Sequence, residues 1–362
     1  MNDNSQRGRT IQMLAQTMRY PRNQWYVAAG CEEVGSAPLG RKLLGQHVVL
    51  FRTSDGEVAA LSDWCPHRGF RLSDSKMVGD TIQCGYHGMR FDRSGACVEV
   101  PSQSNIPSKM ATTSYPVIER APFVWIWLGD AAKADPALLP EALEFDDPGY
   151  HSAYTGTLAI KCNAAVAMEN VIDITHASLL HPGVVDGENW ELMKTKDEME
   201  VLSPKVIQTT KRFGATVVKG FMAECMGMRD GQEVNRVRIA RQYLPGLHTS
   251  TDTYYDPDDP GAILARGVRY VAITPQDESH CLQFAATRGS HMISEETRLA
   301  GLAVLYQDVI ALESTQESQA GGRKGFIELS VNADRMALKA RRIIAGLYAE
   351  ELADEDGGHV RE

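Results

Sequence analysis

The chain has no run of the ~18 to 20 apolar residues that a membrane-spanning helix needs. Met1 to Tyr20 holds charges and amides, but no apolar stretch of signal-peptide length. Basic charge is also in short supply. Lys and Arg number 37 against 47 Asp and Glu, a formal net charge of −10. That argues against nonspecific nucleic-acid binding, which needs a basic surface. No internal repeat and no long low-complexity segment is visible. Cysteine is sparse, at seven in 362 residues. Two of the seven belong to a motif described below. The other five (Cys31, Cys97, Cys162, Cys225 and Cys281) are scattered and odd in number, which favours free thiols over a disulfide framework. The expectation is a cytoplasmic protein without a membrane or nucleic-acid partner. Hydrophobic residues at 43% and charged residues at 23% are ordinary for a globular protein. The length allows two domains with separate cores.

Against this plain background two short runs stand out: Cys65-Pro66-His67 and Cys84-Gly85-Tyr86-His87. The order is Cys, His, Cys, His, with sixteen residues between the pairs. Two thiolates and two imidazoles on paired loops suit a [2Fe-2S] cluster of unequal irons, the cysteines on one iron and the histidines on the other. Neutral imidazole leaves less negative charge on the cluster than thiolate would, so the reduction potential rises. Zinc is the rival metal. Structural zinc sites, however, usually group cysteine with cysteine and histidine with histidine, commonly as C-x2-C. Gly69, Gly85 and Gly88 flank the ligands and permit tight loops.

The surrounding sequence reads as short strands. Trp25–Val27, Val48–Phe51, Val58–Leu61 and Phe123–Trp127 are rich in apolar, β-branched or aromatic residues, with turns at Ser54-Asp55-Gly56, Arg93-Ser94-Gly95 and Gly129-Asp130. This predicts a small all-β domain over residues 20–149, after a polar lead-in at 1–19 with a short helix over Ile11–Leu14. Residues 131 to 149, rich in Ala, Asp and Pro, read as a linker or cover segment. A second domain is expected over 150–362. Its strands are predicted at Tyr154–Ile160, Val206–Thr210, Ala215–Phe221, Arg236–Tyr243 and Arg269–Thr274. Its helices are predicted at Val166–Leu180, Glu295–Gln319 and Asp334–Leu352.

A second constellation lies in Asn170-Val171-Ile172-Asp173-Ile174-Thr175-His176-Ala177-Ser178-Leu179-Leu180-His181. His176 and His181 are i, i+5, about 140° apart around a helix axis. His181 therefore belongs where the helix ends, before Pro182-Gly183, so that the two imidazoles meet one point from different directions. An electron relay needs a destination, and non-heme iron held by two histidines and one carboxylate, with open positions for O2, is a natural one. The carboxylate is expected from Asp308. It shares a helix face with Leu305 and Leu312, at −3 and +4. Periodicity alone leaves that face either interior or solvated. Glu313 is the runner-up.

These two motifs resemble those of the Rieske non-heme iron oxygenases, at Cys65, His67, Cys84 and His87 and in the Asn-x-x-Asp-x-x-His-x4-His pattern of residues 170–181. The resemblance runs from about Tyr20 to about Leu347 and is closest to the vanillate O-demethylase and dicamba monooxygenase branch. Two departures are Gly85, where proline is more usual, and Met89, where tryptophan is common. The resemblance implies an α+β protein: an all-β Rieske domain followed by a catalytic domain with an antiparallel sheet flanked by helices, of helix-grip type. It implies one [2Fe-2S] cluster and one mononuclear Fe(II) per subunit, and it favours Asp308 as the third ligand beside His176 and His181. It implies a homotrimer in which Asp173 links the centres across a subunit boundary, from His87 of one subunit to His176 of the next, with Asn170 close to the iron. It implies electrons from NAD(P)H through a separate reductase or ferredoxin, O2 as co-substrate and a small aromatic substrate. The expected reaction is hydroxylation of an alkyl carbon with loss of an aldehyde, as in O- or N-demethylation. The alternative is ring dihydroxylation to a cis-diol. The pocket is expected from strands between about Val206 and Phe284 and from the flanks of the ligand helices, stretches that mix apolar and basic residues (Phe221, Met222, Leu244, Leu247, Arg266, Arg269). An arginine there either reads a carboxylate or, as is commoner, faces water.

Overall fold

The computed structural model describes residues 17–140, 149–182, 196–319 and 328–358. The helix expected over Ile11–Leu14, residues 141–148 of the expected linker, and Gly183 lie outside the described residues. Eleven short strands come first: β1 (Trp25–Gly30), β2 (Leu39–Leu43), β3 (Gln46–Arg52), β4 (Val58–Ser62), β5 (Lys76–Val78), β6 (Thr81–Gln83), β7 (Arg90–Phe91), β8 (Cys97–Glu99), β9 (Ser114–Tyr115), β10 (Val117–Arg120) and β11 (Phe123–Trp127). They form three small antiparallel sheets, ordered β1-β11-β10, β2-β3-β4-β9 and β5-β6-β7-β8. Val49, Phe51, Leu61, Leu72, Ile82 and Phe91 fill the core beneath the two Cys-His loops.

Seven longer strands follow: β12 (His151–Ile160), β13 (Glu198–Ser203), β14 (Val206–Val218), β15 (Gln232–Tyr243), β16 (Leu247–Tyr255), β17 (Ile263–Pro275) and β18 (Cys281–Gly289). They make one antiparallel sheet in the order β12-β18-β17-β16-β15-β14-β13. Among the described residues five helices accompany it: α1 (Ala164–Ile172), α2 (Ala177–Leu180), α3 (Gly220–Met226), α4 (Glu295–Glu317) and α5 (Arg335–Gly358). The α+β class expected above is what the chain adopts.

Side chains alternate across a strand, so the two faces of this sheet do different jobs. Val268, Tyr270 and Ala272 of β17, with Leu282, Phe284 and Ala286 of β18, pack into one core with Trp25, Val27, Phe123 and Trp125 of the first domain. Tyr154 and Thr157 of β12 both hydrogen-bond to Glu33 across the same boundary, at 2.8 Å. The opposite face carries α1, α4 and the cavities. The expectation of two domains with separate cores thus meets a structure in which one apolar cluster joins the two sheet systems.

Two local expectations are corrected. The single helix over Val166–Leu180 is broken at Asp173–His176 into α1 and α2. Phe221 lies in helix α3, and the two strands expected over 206–221 are one strand, β14, that crosses a bulge between Phe213 and Ala215. Strands β13, β16 and β18 lay outside the expected set.

Because Phe284 is fully buried in the shared core, Phe284→Ala is expected to cost about 3–5 kcal/mol. Urea unfolding followed by tryptophan fluorescence and by far-UV circular dichroism should shift together; two separated transitions would show that the halves unfold independently.

Candidate metal centres

The two Cys-His loops are built alike. In the first, Cys65 N–H donates to the Phe70 carbonyl at 2.9 Å and Gly69 N–H to the Cys65 carbonyl at 2.9 Å. In the second, Cys84 N–H donates to the Met89 carbonyl at 2.8 Å and Gly88 N–H to the Cys84 carbonyl at 3.0 Å. Each six-residue loop is closed by a glycine at the same position, with φ of 69° at Gly69 and 75° at Gly88, where a side chain would be strained. Gly85 is different. Its φ is not positive, and a Cβ there would come within 3.2 Å of the Phe70 ring.

Both sulfurs point inward and are buried, while His67 is half-buried and His87 exposed. The two Nδ1 atoms face each other at 3.2 Å. The backbone N–H groups of His67 and Arg68 point at the Cys65 sulfur; burial nonetheless pushes its thiol up to about 11 in the metal-free chain. Desolvation, then the charges of His87 and Arg68, hold the His67 imidazole below its ordinary value, which favours the neutral form that binds metal. Among the described residues, three or more Cys, His or carboxylate donors within 4.8 Å of one another occur at a different place. The four loop donors are too spread for a single zinc ion. An inner sulfur pair and an outer nitrogen pair fit two unequal irons.

The place where donors do converge is His176, His181 and Asp308. Helix α1 starts at Asn163, whose side chain accepts from Ala165 N–H at 3.0 Å. It ends at Asp173, whose carboxylate accepts from both Thr175 N–H and Thr175 Oγ1, each at 2.8 Å. That side-chain turn competes with the next helical hydrogen bonds and stops the helix. One-turn α2 then begins after His176 and ends at His181. The two rings lie 5.5 Å apart at 79° to each other. Asp308 comes from α4, on a buried stripe with Leu312 and Gln316. Gln316 and Glu313 accept from Asn163 N–H and Lys161 N–H, at 2.9 and 3.1 Å, which ties α4 to the start of α1. The runner-up Glu313 is therefore engaged away from the histidines.

His176 Nε2 and His181 Nε2 lie 3.4 and 3.2 Å from Asp308 Oδ1. Burial raises the Asp308 carboxyl, but the two histidines outweigh it and hold the group well below the ordinary carboxylate range. Burial lowers the His181 imidazole, and hydrogen bonds to Asp308 and Gln307 more than restore it. The three groups thus stand within ion-pair distance of one another, close enough for one cation to bridge them. Asn170 Nδ2 donates to Asp308 Oδ1 at 3.2 Å. His181 Nδ1–H donates to Gln307 Oε1 at 2.7 Å, which leaves Nε2 free to bind metal. Gln307 was not foreseen. Nothing in its local sequence separates it from a solvated helical glutamine.

Residues 24–116 match the Rieske [2Fe-2S] domain family, and residues 160–350 match the vanillate O-demethylase oxygenase C-terminal domain. The chain belongs to the Rieske oxygenases of this vanillate O-demethylase type. It is 31% identical to dicamba O-demethylase, oxygenase component, of Stenotrophomonas maltophilia, over 93% of this chain and 100% of that one. It is 28% identical to a vanillate O-demethylase oxygenase subunit of Pseudomonas sp. (strain HR199 / DSM 7063), over 94% and 98%. The crystal structure of dicamba monooxygenase with non-heme iron and dicamba superposes with a TM-score of 0.78 at 28% identity, covering 92% of this chain and 98% of that one. A Rieske oxygenase is an oxidoreductase that carries a [2Fe-2S] cluster and a mononuclear iron, and the two donor sets suit those groups. The chain is thus the oxygenase component of a multicomponent system. No helix among the described residues is long and apolar enough to cross a membrane.

Two predictions follow from this geometry. Gln307→Leu should lower iron affinity at the histidine–carboxylate site by about 10- to 100-fold, read by chelator competition, with the visible spectrum of the [2Fe-2S] cluster unchanged. His248, buried beside this site, is held down to about 3 from 6.5 by burial first, then by Arg238 and Arg269. The unfolded chain therefore takes up a proton below pH 6.5 that the folded chain refuses until about pH 3. Stability should fall as pH drops through that window, and His248→Gln should flatten the slope in denaturant titrations.

Proposed function

We propose that this Rieske oxygenase is a monooxygenase that hydroxylates an alkyl carbon of a small aromatic substrate, with O- or N-demethylation as the outcome. The observation that carries the reading is the triad of His176, His181 and Asp308 set at the end of a cavity with an apolar continuation. The iron-side cavity, about 110 Å³, is lined by Asn170, His176, His181, His248, Arg269 and Asp308 among others. An adjoining cavity, also about 110 Å³, is lined largely by apolar groups, including Phe221, Met222, Met226, Val304 and Leu305. Phe221, Met222 and Arg269 lie in the stretch from which the pocket lining was expected, and Arg269 lines the cavities where the plainer expectation for the arginines was a solvent-facing position. The relatives named above act on dicamba and on vanillate, which supports dealkylation as the reaction class.

When bound, the mononuclear iron supplies O2 activation, and the protein supplies position. His176, His181 and Asp308 would hold that iron, and the cavity they line would receive the substrate. Gln307 orients His181. Asn170 holds Asp308 through its amide. The apolar walls exclude water from an aromatic ring. His67 and His87 would hold the outer iron of the cluster, and Cys65 and Cys84 the inner one. The exposed ring of Tyr86, 62% open, lies against His87 at 3.8 Å between centroids. That outward edge is where a reductase or ferredoxin, or a neighbouring subunit, gains close access to the cluster. Asp173 is proposed as the bridge between the centres of adjacent subunits in a homotrimer. Its two oxygens each accept once from Thr175 and keep lone pairs for a second donor.

The test pairs the purified oxygenase, loaded with iron, with a surrogate reductase and a panel of methoxy- and N-methyl-aromatics. Formaldehyde release is the expected result; a cis-diol product would overturn dealkylation. Asp308→Ala should abolish release while the EPR signal of the reduced cluster persists. Asp173→Asn, which keeps a side-chain oxygen to accept from Thr175 N–H and so preserves the helix break, should retain both metals and lower turnover about 100-fold. Full turnover in that variant would remove Asp173 from the electron path.

A further inference from the structure

We infer that Arg269 is a specificity-determining residue that binds an oxyanion, a carboxylate or sulfonate, carried by the aromatic substrate. The inference rests on the monooxygenase reading above and adds the substrate class. Arg269 sits on the cavity face of β17, between Gly267 and Val271 in the alternation. Its cross-strand partners are Ser250 on β16 and Thr287 on β18, both short, so the long arginine stem is not crowded by its neighbours. It lines both cavities, the one beside the iron ligands and the apolar one. It is therefore placed at the seam where a ring in the apolar part would present a substituent.

The state of its guanidinium is the second observation. Among the described residues that group makes no hydrogen bond, and its one ion contact is Asp252 Oδ2 at 3.8 Å. Asp252 is already held by Arg236, whose Nε donates to Oδ1 at 2.9 Å in a fully buried pair. Arg269, by contrast, keeps 37% of its side chain open. A structural arginine at half-buried depth normally spends its five N–H donors on carbonyls or a carboxylate. Here they remain available in a fork that matches the two oxygens of a carboxylate or sulfonate, with apolar walls that strengthen the pairing by excluding water. If Arg269 only completed the charge balance around Asp252, a lysine would replace it and ligand charge would not matter.

The experiment measures equilibrium binding by calorimetry to the metal-loaded full chain, with 3-methoxybenzoate, 3-methoxybenzenesulfonate and neutral 3-methoxybenzamide as probes. The wild-type protein should bind at least one anion about 10-fold or more tighter than the amide, and the tighter of the two identifies the oxyanion. Arg269→Gln should reduce the anion-to-amide affinity ratio by about 10- to 100-fold, the size of a charge-assisted hydrogen bond. Arg269→Lys should recover part of it and serves as the second variant if the glutamine form does not fold. Equal binding of anion and amide, an unmoved ratio in Arg269→Gln, or failure of both anions to bind would overturn the assignment. Formaldehyde release separates the two readings. An anion bound with the expected preference but not demethylated would sink demethylation and leave Arg269 in place. Acid and amide bound equally and both demethylated would do the reverse.

Discussion

The arrangement depends on one small interruption. At Asp173 the backbone leaves helical geometry because its carboxylate takes Thr175 N–H and Oγ1 in place of a further turn of α1. Without that break His176 and His181 would lie on different sides of one helix. With it, they stand at the two ends of a single turn and face Asp308. The same residue that ends the helix is thus at the surface turn beside the iron ligands.

Rigidity on the other side comes from α4. Asp308, Leu312 and Gln316 form one buried stripe, and Gln316 with Glu313 fastens that helix to the backbone just before α1. Asp308 is consequently held by two hydrogen bonds made remotely from it, at the far end of the stripe. A metal ligand placed on a regular helix and anchored in this way keeps its position without spending its own oxygens on the protein, apart from the Asn170 amide. The seven-stranded sheet completes the frame: one face seals against the first domain through Tyr270 and Phe284, the other is left with polar groups over a cavity.

Much of this was readable from residue order. The Cys-x-His and Cys-x-x-His runs marked the candidate cluster ligands, because thiolate and imidazole in that pairing have few other uses. The five-residue gap between His176 and His181 implied a helix end at His181, where the structure has one. Strand β16 escaped for a physical reason: Leu247–Tyr255 is mostly Thr, Ser, Asp and His, yet eight of its nine residues are buried. Strands with polar residues facing a cavity do not alternate in hydropathy, so the period-2 signal is lost. The length of the helix over Val166–Leu180 was misjudged because the Asx turn at Asp173 gives no hydropathy signal either.

Local chemistry determined the identity of the donors. Short-range spacing and side-chain type settle which atoms can bind iron, and they act within a few residues of one another. Only the tertiary structure decided how far the donors stand apart: too spread in the loops for one ion, close enough at His176, His181 and Asp308 for one. It also decided that Asp308 rather than Glu313 meets the histidines, that Gln307 orients one of them, and that Arg269 opens into the cavity while Arg236 is buried against Asp252. Those outcomes depend on contacts between segments more than a hundred residues apart or on which face of a strand is covered, and no local pattern encodes them.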